Sequence, residues 1–319
     1  MQTSVVLPDG CTVRAPEASD AKAIFGLLAA YNTAVVGFAD RTLAQVRDDL
    51  IEPGFDRGTD GWLVLAEDGL PVGYGWTYGK AERREMGIGV TSPVPGVAAW
   101  LYDRTMQRAR EMGRECGQTE IVIDAFVYRD DQASRALLAE NAFTIGTTYQ
   151  RMRIDHTGSL AAPDLPAGVV VRRGAPDDAT RWTAHELIIN CFTGQFGFTP
   201  RPHEEWLEAR ELNSLVDWSM LTLLELGGQA VAFRDCSDLF AAENCGHIAS
   251  LGVAEEFRGR GLAKFLLRDA FALDAAAGRV GTTLLVDMNN PTPALDLYLS
   301  VGMTPTLTEE GWRLILPTT

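Results

Sequence analysis

Two glycines one residue apart, in Arg258-Gly259-Arg260-Gly261-Leu262-Ala263, constrain this chain more than any other feature. Upstream, Ile248, Leu251 and Val253 read as a strand; downstream, Leu262, Phe265, Leu266, Ala270 and Leu273 recur at helical spacing. The glycines therefore mark a turn at which a strand passes directly into a helix. The start of a helix carries N–H groups without intrahelical partners and the positive end of its dipole, and glycine lets an anion approach that backbone closely. Arg258, Arg260, Lys264 and Arg268 gather positive charge there on a chain of formal net charge -15. A polyanionic ligand is the natural occupant.

Spacing narrows the choice. A loop for nucleoside triphosphates needs Gly-Lys-Ser/Thr, and Gly261 is followed by Leu262, Ala263, Lys264 and Phe265. A dinucleotide fingerprint needs glycine or alanine where Lys264 stands. Arg258, Gly261 and Ala263 instead fill the pattern Gln/Arg-x-x-Gly-x-Gly/Ala, and a strand from Thr283 to Asp287 is followed by Asn290, Ala294, Tyr298 and Gly302. In both stretches the chain resembles the GCN5-related N-acetyltransferase (GNAT) family. Two motifs in order are far more specific than one glycine loop.

The chain also repeats itself. Val13-Arg14 with Asp20 returns as Val171-Arg172 with Asp178. Each half shows a hairpin: Trp62 to Ala66, a turn at Asp68-Gly69, then Val72 to Tyr74; and Leu221 to Glu225, a turn at Gly227-Gly228, then Ala230 to Phe233. Asp130, Leu137, Leu138 and Phe143 fall where Asn290, Leu297, Tyr298 and Met303 fall in the second half. A Gly-, Ala- and Pro-rich stretch, 157–168, reads as a linker. The resemblance then implies one GNAT-like domain over 1–156 and another over 169–319, both of the α/β class (α+β), each with a central mixed, largely antiparallel sheet flanked by helices. The copies are unequal. In Ser92-Pro93-Val94-Pro95-Gly96-Val97-Ala98, Pro93 replaces a basic residue and Pro95 removes an N–H from the turn. Leu138, at the tyrosine position, has no proton to give. Functional residues are expected in the second half, with the first a scaffold that walls the acceptor site and binds the cofactor weakly if at all.

With 319 residues and 46% hydrophobic content, the chain is able to bury two sizeable cores. It has no apolar run of about 18 residues and no basic-then-apolar N-terminus. Its five cysteines (Cys11, Cys116, Cys191, Cys236, Cys245) form no Cys-x-x-Cys pair, so a reducing cytoplasm is the expected location. Net acidity argues against a nucleic-acid binder, since only the loop around Arg258 is basic. It reads first as a well-solvated surface, and it suits a cationic acceptor. No metal site is expected: His185-Glu186 lacks a second histidine four residues on, and His156, His203 and His247 are isolated. Monomer and homodimer both stay open.

The resemblance implies direct transfer of an acetyl group from acetyl-CoA, as co-substrate, to the primary amine of a small molecule. Backbone N–H groups of Gly259, Arg260, Gly261, Leu262 and Ala263 would hold the pyrophosphate, with Arg258 adding charge. The edge along Leu251, Gly252 and Val253 would take the pantetheine arm as an added strand, beside a bulge at Gly252. An N–H at Leu251 or Val253 would polarise the thioester carbonyl. Asn290 would fix the far side of the arm. Tyr298 would protonate the departing thiolate, a phenol of pKa about 10 lying close to a thiol of about 8.5. Spacing alone also allows Tyr298 to be one of an apolar helix face with Ala294, Leu297 and Val301.

The base and the acceptor pocket are less marked. His247, in alternation with Ala249, Leu251 and Val253, is a candidate general base or a structural histidine, with Cys245 a less favoured nucleophile on its face. The stretch Cys191 to Phe198 reads as an acceptor lid, with Phe192, Phe196 and Phe198 against the acceptor and Glu204 attracting an ammonium. The same residues also read as a packed connection to a helix starting near His203. Two further functions stay open: transfer to a cysteinyl pseudodisaccharide, and a non-catalytic acyl-CoA binder or sensor, against which Asn290 and Tyr298 argue.

Overall fold

Both hairpin turns take the backbone their glycines allow, with φ of +80° at Gly69, +62° at Gly227 and +83° at Gly228. The computed structural model describes residues 5–80, 84–290 and 292–318. They divide into two units, Met1–Thr147 with Glu309–Thr319, and Thr148–Thr308.

Along the chain the elements are β1 (Thr12–Arg14), α1 (Ala21–Val36), α2 (Leu43–Asp49), α3 (Arg57–Asp60), β2 (Gly61–Leu65), β3 (Pro71–Lys80), β4 (Glu85–Thr91), α4 (Pro95–Glu115), β5 (Glu120–Tyr128), α5 (Gln132–Glu140) and β6 (Thr144–Asp155). They continue with β7 (Val169–Arg173), α6 (Asp178–Phe192), α7 (His203–Leu212), β8 (Thr222–Leu226), β9 (Gln229–Ser237), β10 (Cys245–Val253), α8 (Leu262–Ala276), β11 (Gly281–Asp287), α9 (Ala294–Ser300) and β12 (Thr304–Pro317). In the first unit β1, β2, β3 and β4 pair antiparallel in that order, and β5 joins β4 in parallel. In the second, β7, β8, β9 and β10 pair antiparallel, and β11 joins β10 in parallel. Each sheet is thus mixed and largely antiparallel, as expected. A parallel neighbour needs a crossover, and α4 and α8 supply it.

Chain order and compactness divide the protein differently. β6 follows the elements of the first half, yet it pairs with β11, from Gly281↔Asp155 to Asp287↔Tyr149. β12 ends the chain, and it closes the other sheet against β5, from Glu309↔Tyr128 to Pro317↔Glu120. Strand alternation records which face is buried, not which neighbour is joined, so periodicity does not reveal this arrangement.

The helix after the glycine turn is held from beneath. Leu262, Phe265 and Leu266 of α8 pack with Leu224, Val231 and Ala232, while Leu267, Ala270 and Phe271 pack with Ile248, Leu284 and Val286. Asp269, on the same helix, is buried and accepts from Arg173 at 2.6 and 2.9 Å and from Arg234 at 2.8 Å. Burial alone would raise this carboxyl, but the two guanidinium groups outweigh it and hold it below the usual carboxylate range. α8 is therefore tied to β7 and β9, and its first turn keeps its place over the sheet.

Candidate active site

β10 and β11 run side by side only from Cys245↔Gly281 to Ile248↔Leu284. Beyond that point β10 stays with β9 as far as Val253↔Ala232, and β11 stays with β6 as far as Asp287↔Tyr149, so a wedge opens between them. The parting coincides with a slip in the β9–β10 register: Ile248 faces Cys236, Ser250 faces Asp235, and Ala249 is the extra residue. A bulge of this kind bends a strand away from its neighbour. The bulge expected at Gly252 thus lies three residues earlier. Gly252 serves another purpose, because a Cβ there would stand 2.5 Å from Phe233 and 2.9 Å from Cys191, where α6 packs on β10. A cavity of about 540 Å³ fills the wedge, bordered by Leu251, Val253, Gly261, Lys264, Asn290 and Tyr298. That volume suits a small-molecule ligand.

At one end of the wedge lies the glycine turn. Gly259 and Gly261 stand at φ +76° and +77°, with open space where a Cβ would be, so backbone conformation is what requires glycine at both. Gly261 caps α8 and, having no side chain, gives no cap hydrogen bond to the first-turn N–H groups. Those donors are left for a ligand. Arg258 and Lys264 border the cavity here. Arg258 Nε donates to Val253 O at 3.2 Å, tying the end of β10 to the turn, while Arg260 lies over the Phe257 ring at 5.1 Å.

Further in, Asn290 and Tyr298 border the same cavity. Asn290 Oδ1 accepts from Thr292 N at 2.9 Å and from Thr292 Oγ1 at 2.7 Å, shaping the turn into α9. Tyr298 packs with Met152, Leu267 and Val286 and is 8% exposed. Burial pushes its phenol up to about 12. The phenol is thus protonated throughout the neutral range, and its pKa lies further from a thiol's than the sequence suggested.

Residues 182–303, which include the wedge, the glycine turn and α9, match the Acetyltransferase (GNAT) family. Those residues are GNAT-like. It is similar to a mycothiol acetyltransferase of Streptomyces griseus subsp. griseus, 26% identical over 250 residues that cover 76% of each chain. A mycothiol acetyltransferase of Thermobispora bispora is 30% identical over 189 residues, covering 56% of this chain and 61% of the relative. Among solved structures, a GCN5-related N-acetyltransferase from Sphaerobacter thermophilus shares the fold over 98% of both chains, with a TM-score of 0.80 at 23% identity. So does a tandem GNAT protein from the clavulanic acid biosynthesis pathway, over 96% of this chain and 98% of that one, with a TM-score of 0.73 at 15% identity. The GNAT match over residues 182–303 and the mycothiol acetyltransferase relatives support an acyltransferase, the fold is that of a tandem GNAT protein, and GNAT acyltransferases use acyl-CoA. Among the described residues, no helix is long and apolar enough to cross a membrane.

His247 stands apart from the residues that border the GNAT cavity. The slip at Ala249 breaks the expected alternation: Ile248 and Leu251 both pack toward α8, and His247 is turned from them. Thr283 Oγ1 donates its one proton to Gly246 O at 3.1 Å, so it accepts from His247 Nδ1–H at 3.0 Å, and Nε2 keeps its lone pair. Phe240 lies edge-on at 5.2 Å. Burial, with the Arg151 charge adding, pushes the imidazole down to about 4. The unfolded histidine takes a proton near pH 6.5 and the folded one does not, so stability is expected to fall as pH drops from about 6.5 to about 4. At pH 5 the loss from this group is roughly 2 kcal/mol relative to pH 7.5. Urea unfolding at both pH values checks this, since His247→Gln must remove that part of the pH dependence.

In the stretch read as an acceptor lid, Phe192 borders the cavity, and the Phe198 ring lies tilted against it at 5.6 Å. Phe196 offers its backbone, accepting from the Tyr149 hydroxyl at 2.8 Å. Phe196, Phe198 and Glu204 are not among the bordering residues. Glu204 lies in the first turn of α7, which does start at His203, and that histidine is buried against Trp182 at 4.3 Å. Gln195, within the stretch read as a lid, is on the cavity wall; sequence reasoning missed Tyr149, Leu285 and Asp287, which border it too. Tyr149 reaches it through the pairing of β6 with β11, which no local pattern signals. Cys191 also borders the cavity, and burial pushes its thiol up to about 11; Cys245 is raised by burial too, so both disfavour a thiolate nucleophile.

Proposed function

We propose that this protein transfers an acetyl group directly from acetyl-CoA to the primary amine of a small molecule. The observation that carries the reading is one continuous cavity joining the two-glycine turn, the open edge of β10 and Tyr298. Amides from Gly259 to Ala263 hold the pyrophosphate, and Arg258, braced on Val253 O, adds positive charge at the turn. The arm of coenzyme A lies along Leu251 to Val253, with Asn290 on its far side. An N–H at Leu251 or Val253 polarises the thioester carbonyl. The amine attacks, the C–S bond breaks, and the thiolate takes the Tyr298 proton. The amine sheds its proton to water at the open side of the cavity; His247, buried and off the cavity wall, is not its acceptor. The catalytic half is the second unit, which holds most of the C-terminal domain 169–319 and takes 148–155 from the first half, with the first unit as scaffold.

A second reading is that of mycothiol synthase, with a cysteinyl pseudodisaccharide as acceptor, and the two curated relatives support it. A third, a non-turning-over acyl-CoA binder, is disfavoured by Tyr298 and Asn290 in the cavity. Release of free CoA thiol from acetyl-CoA, followed over a panel of amines that includes this pseudodisaccharide, separates the three. Turnover with a simple primary amine is expected. Turnover with the pseudodisaccharide alone selects the second reading, and binding without turnover selects the third.

A further inference from the structure

The first unit repeats the wedge without the phosphate turn. β4 and β5 run in parallel from Glu85↔Val122 to Ile88↔Ala125 and part there. A cavity of about 470 Å³ opens between them, walled by Ile88, Val90, Ala99, Phe126 and Leu137. A second of about 450 Å³ adjoins it, sharing Tyr31, Pro93 and Ala133. The turn is what differs: three residues, 92–94, join β4 to α4, against eight, 254–261, from β10 to α8. Ser92 Oγ accepts from Val94 N at 3.1 Å, so the short turn satisfies this amide internally. Pro95 opens the helix without an N–H, and β4 keeps an unbroken register with β3. A diphosphate finds no cradle here.

Charge is reversed as well. Among the described residues bordering these two cavities none is lysine or arginine; the charged ones are Asp130, Asp131 and Glu140. Asp131 is 5% exposed. Its Oδ1 accepts from Ser134 N at 3.0 Å as the cap of α5, and its Oδ2 accepts from the Tyr31 hydroxyl at 2.8 Å. Both donors are uncharged, and no lysine or arginine among the described residues pairs with this carboxylate. A buried carboxylate held by neutral donors retains its attraction for a cation.

We propose that the cleft of the first unit binds a primary alkylammonium compound in place of coenzyme A, the alkyl chain in the wedge between β4 and β5 and the ammonium at Asp131. The probe is hexylamine, titrated calorimetrically into the protein saturated with coenzyme A, with hexanol and hexanoate alongside. Hexylammonium binds more tightly than hexanol, and hexanoate does not bind. Asp131→Asn keeps the cap of α5, because asparagine caps as well as aspartate, and it is expected to weaken hexylammonium at least tenfold while sparing hexanol. Ala99→Trp fills the wedge and removes the binding of both, with acetyl transfer unchanged. Equal affinity for hexanoate, unchanged hexylammonium affinity in Asp131→Asn, or two coenzyme A molecules bound per chain each overturns the proposal. Loss of acetyl transfer alone bears on the second unit and leaves this site as stated.

Discussion

Gly261→Pro is expected to abolish acyl-CoA binding, with a loss of at least 100-fold in affinity and little change in the melting of the rest of the protein. Gly261 stands at φ +77°, and proline is fixed near −65°, so the turn that aims the α8 amides cannot form. Gly261→Ala sets the scale. No atom lies within 4 Å of the added Cβ, so alanine meets strain from the positive φ and no clash. That strain is about 1–2 kcal/mol, up to roughly 30-fold in affinity if all of it appears there. Calorimetry with acetyl-CoA on the two variants therefore orders them alanine, then proline. Undiminished heat from the proline variant would remove the turn from the binding site.

This turn was legible in the sequence because its demand is local: a positive φ admits glycine with little else, wherever the neighbours lie. The hairpin glycines were legible for the same reason. Asn290 and Tyr298 were marked by the resemblance to the GNAT motif, not by spacing alone, and both border the cavity. The bulge was not legible, since nothing in Ala249 distinguishes it from an ordinary strand residue. Gly252 drew attention because glycine is common at bulges, whereas its missing Cβ makes room for Phe233 and Cys191. A one-residue slip inverts the faces that follow, which is why His247 does not share the face of Leu251. Tyr149 was out of reach for a different reason. Its place on the wall depends on β6 joining β11, a pairing between stretches more than a hundred residues apart.

The outcome for Tyr298→Phe follows from the same burial that raises its pKa. The ring packs in the core formed by Met152, Leu267 and Val286, and phenylalanine keeps those contacts. Affinity for acetyl-CoA is therefore expected to stay within about twofold, while kcat falls by about 10²–10³ from loss of the proton donor. Burial, the one cause acting on this phenol, puts its pKa at about 12. In the proposed role the acid form is needed for turnover, and it is lost only as pH rises through that value. Tyr298 then contributes no falling limb to the rate profile below about pH 11, and any such limb nearer neutrality belongs to another group. A phenol of this pKa gives up its proton only to a strong base, so in the proposed role the transfer accompanies the breaking of the C–S bond, when charge gathers on sulfur. Unaltered kcat in the phenylalanine variant would sink this role, and an equal rise in the KM for acetyl-CoA would make the hydroxyl a binding group instead.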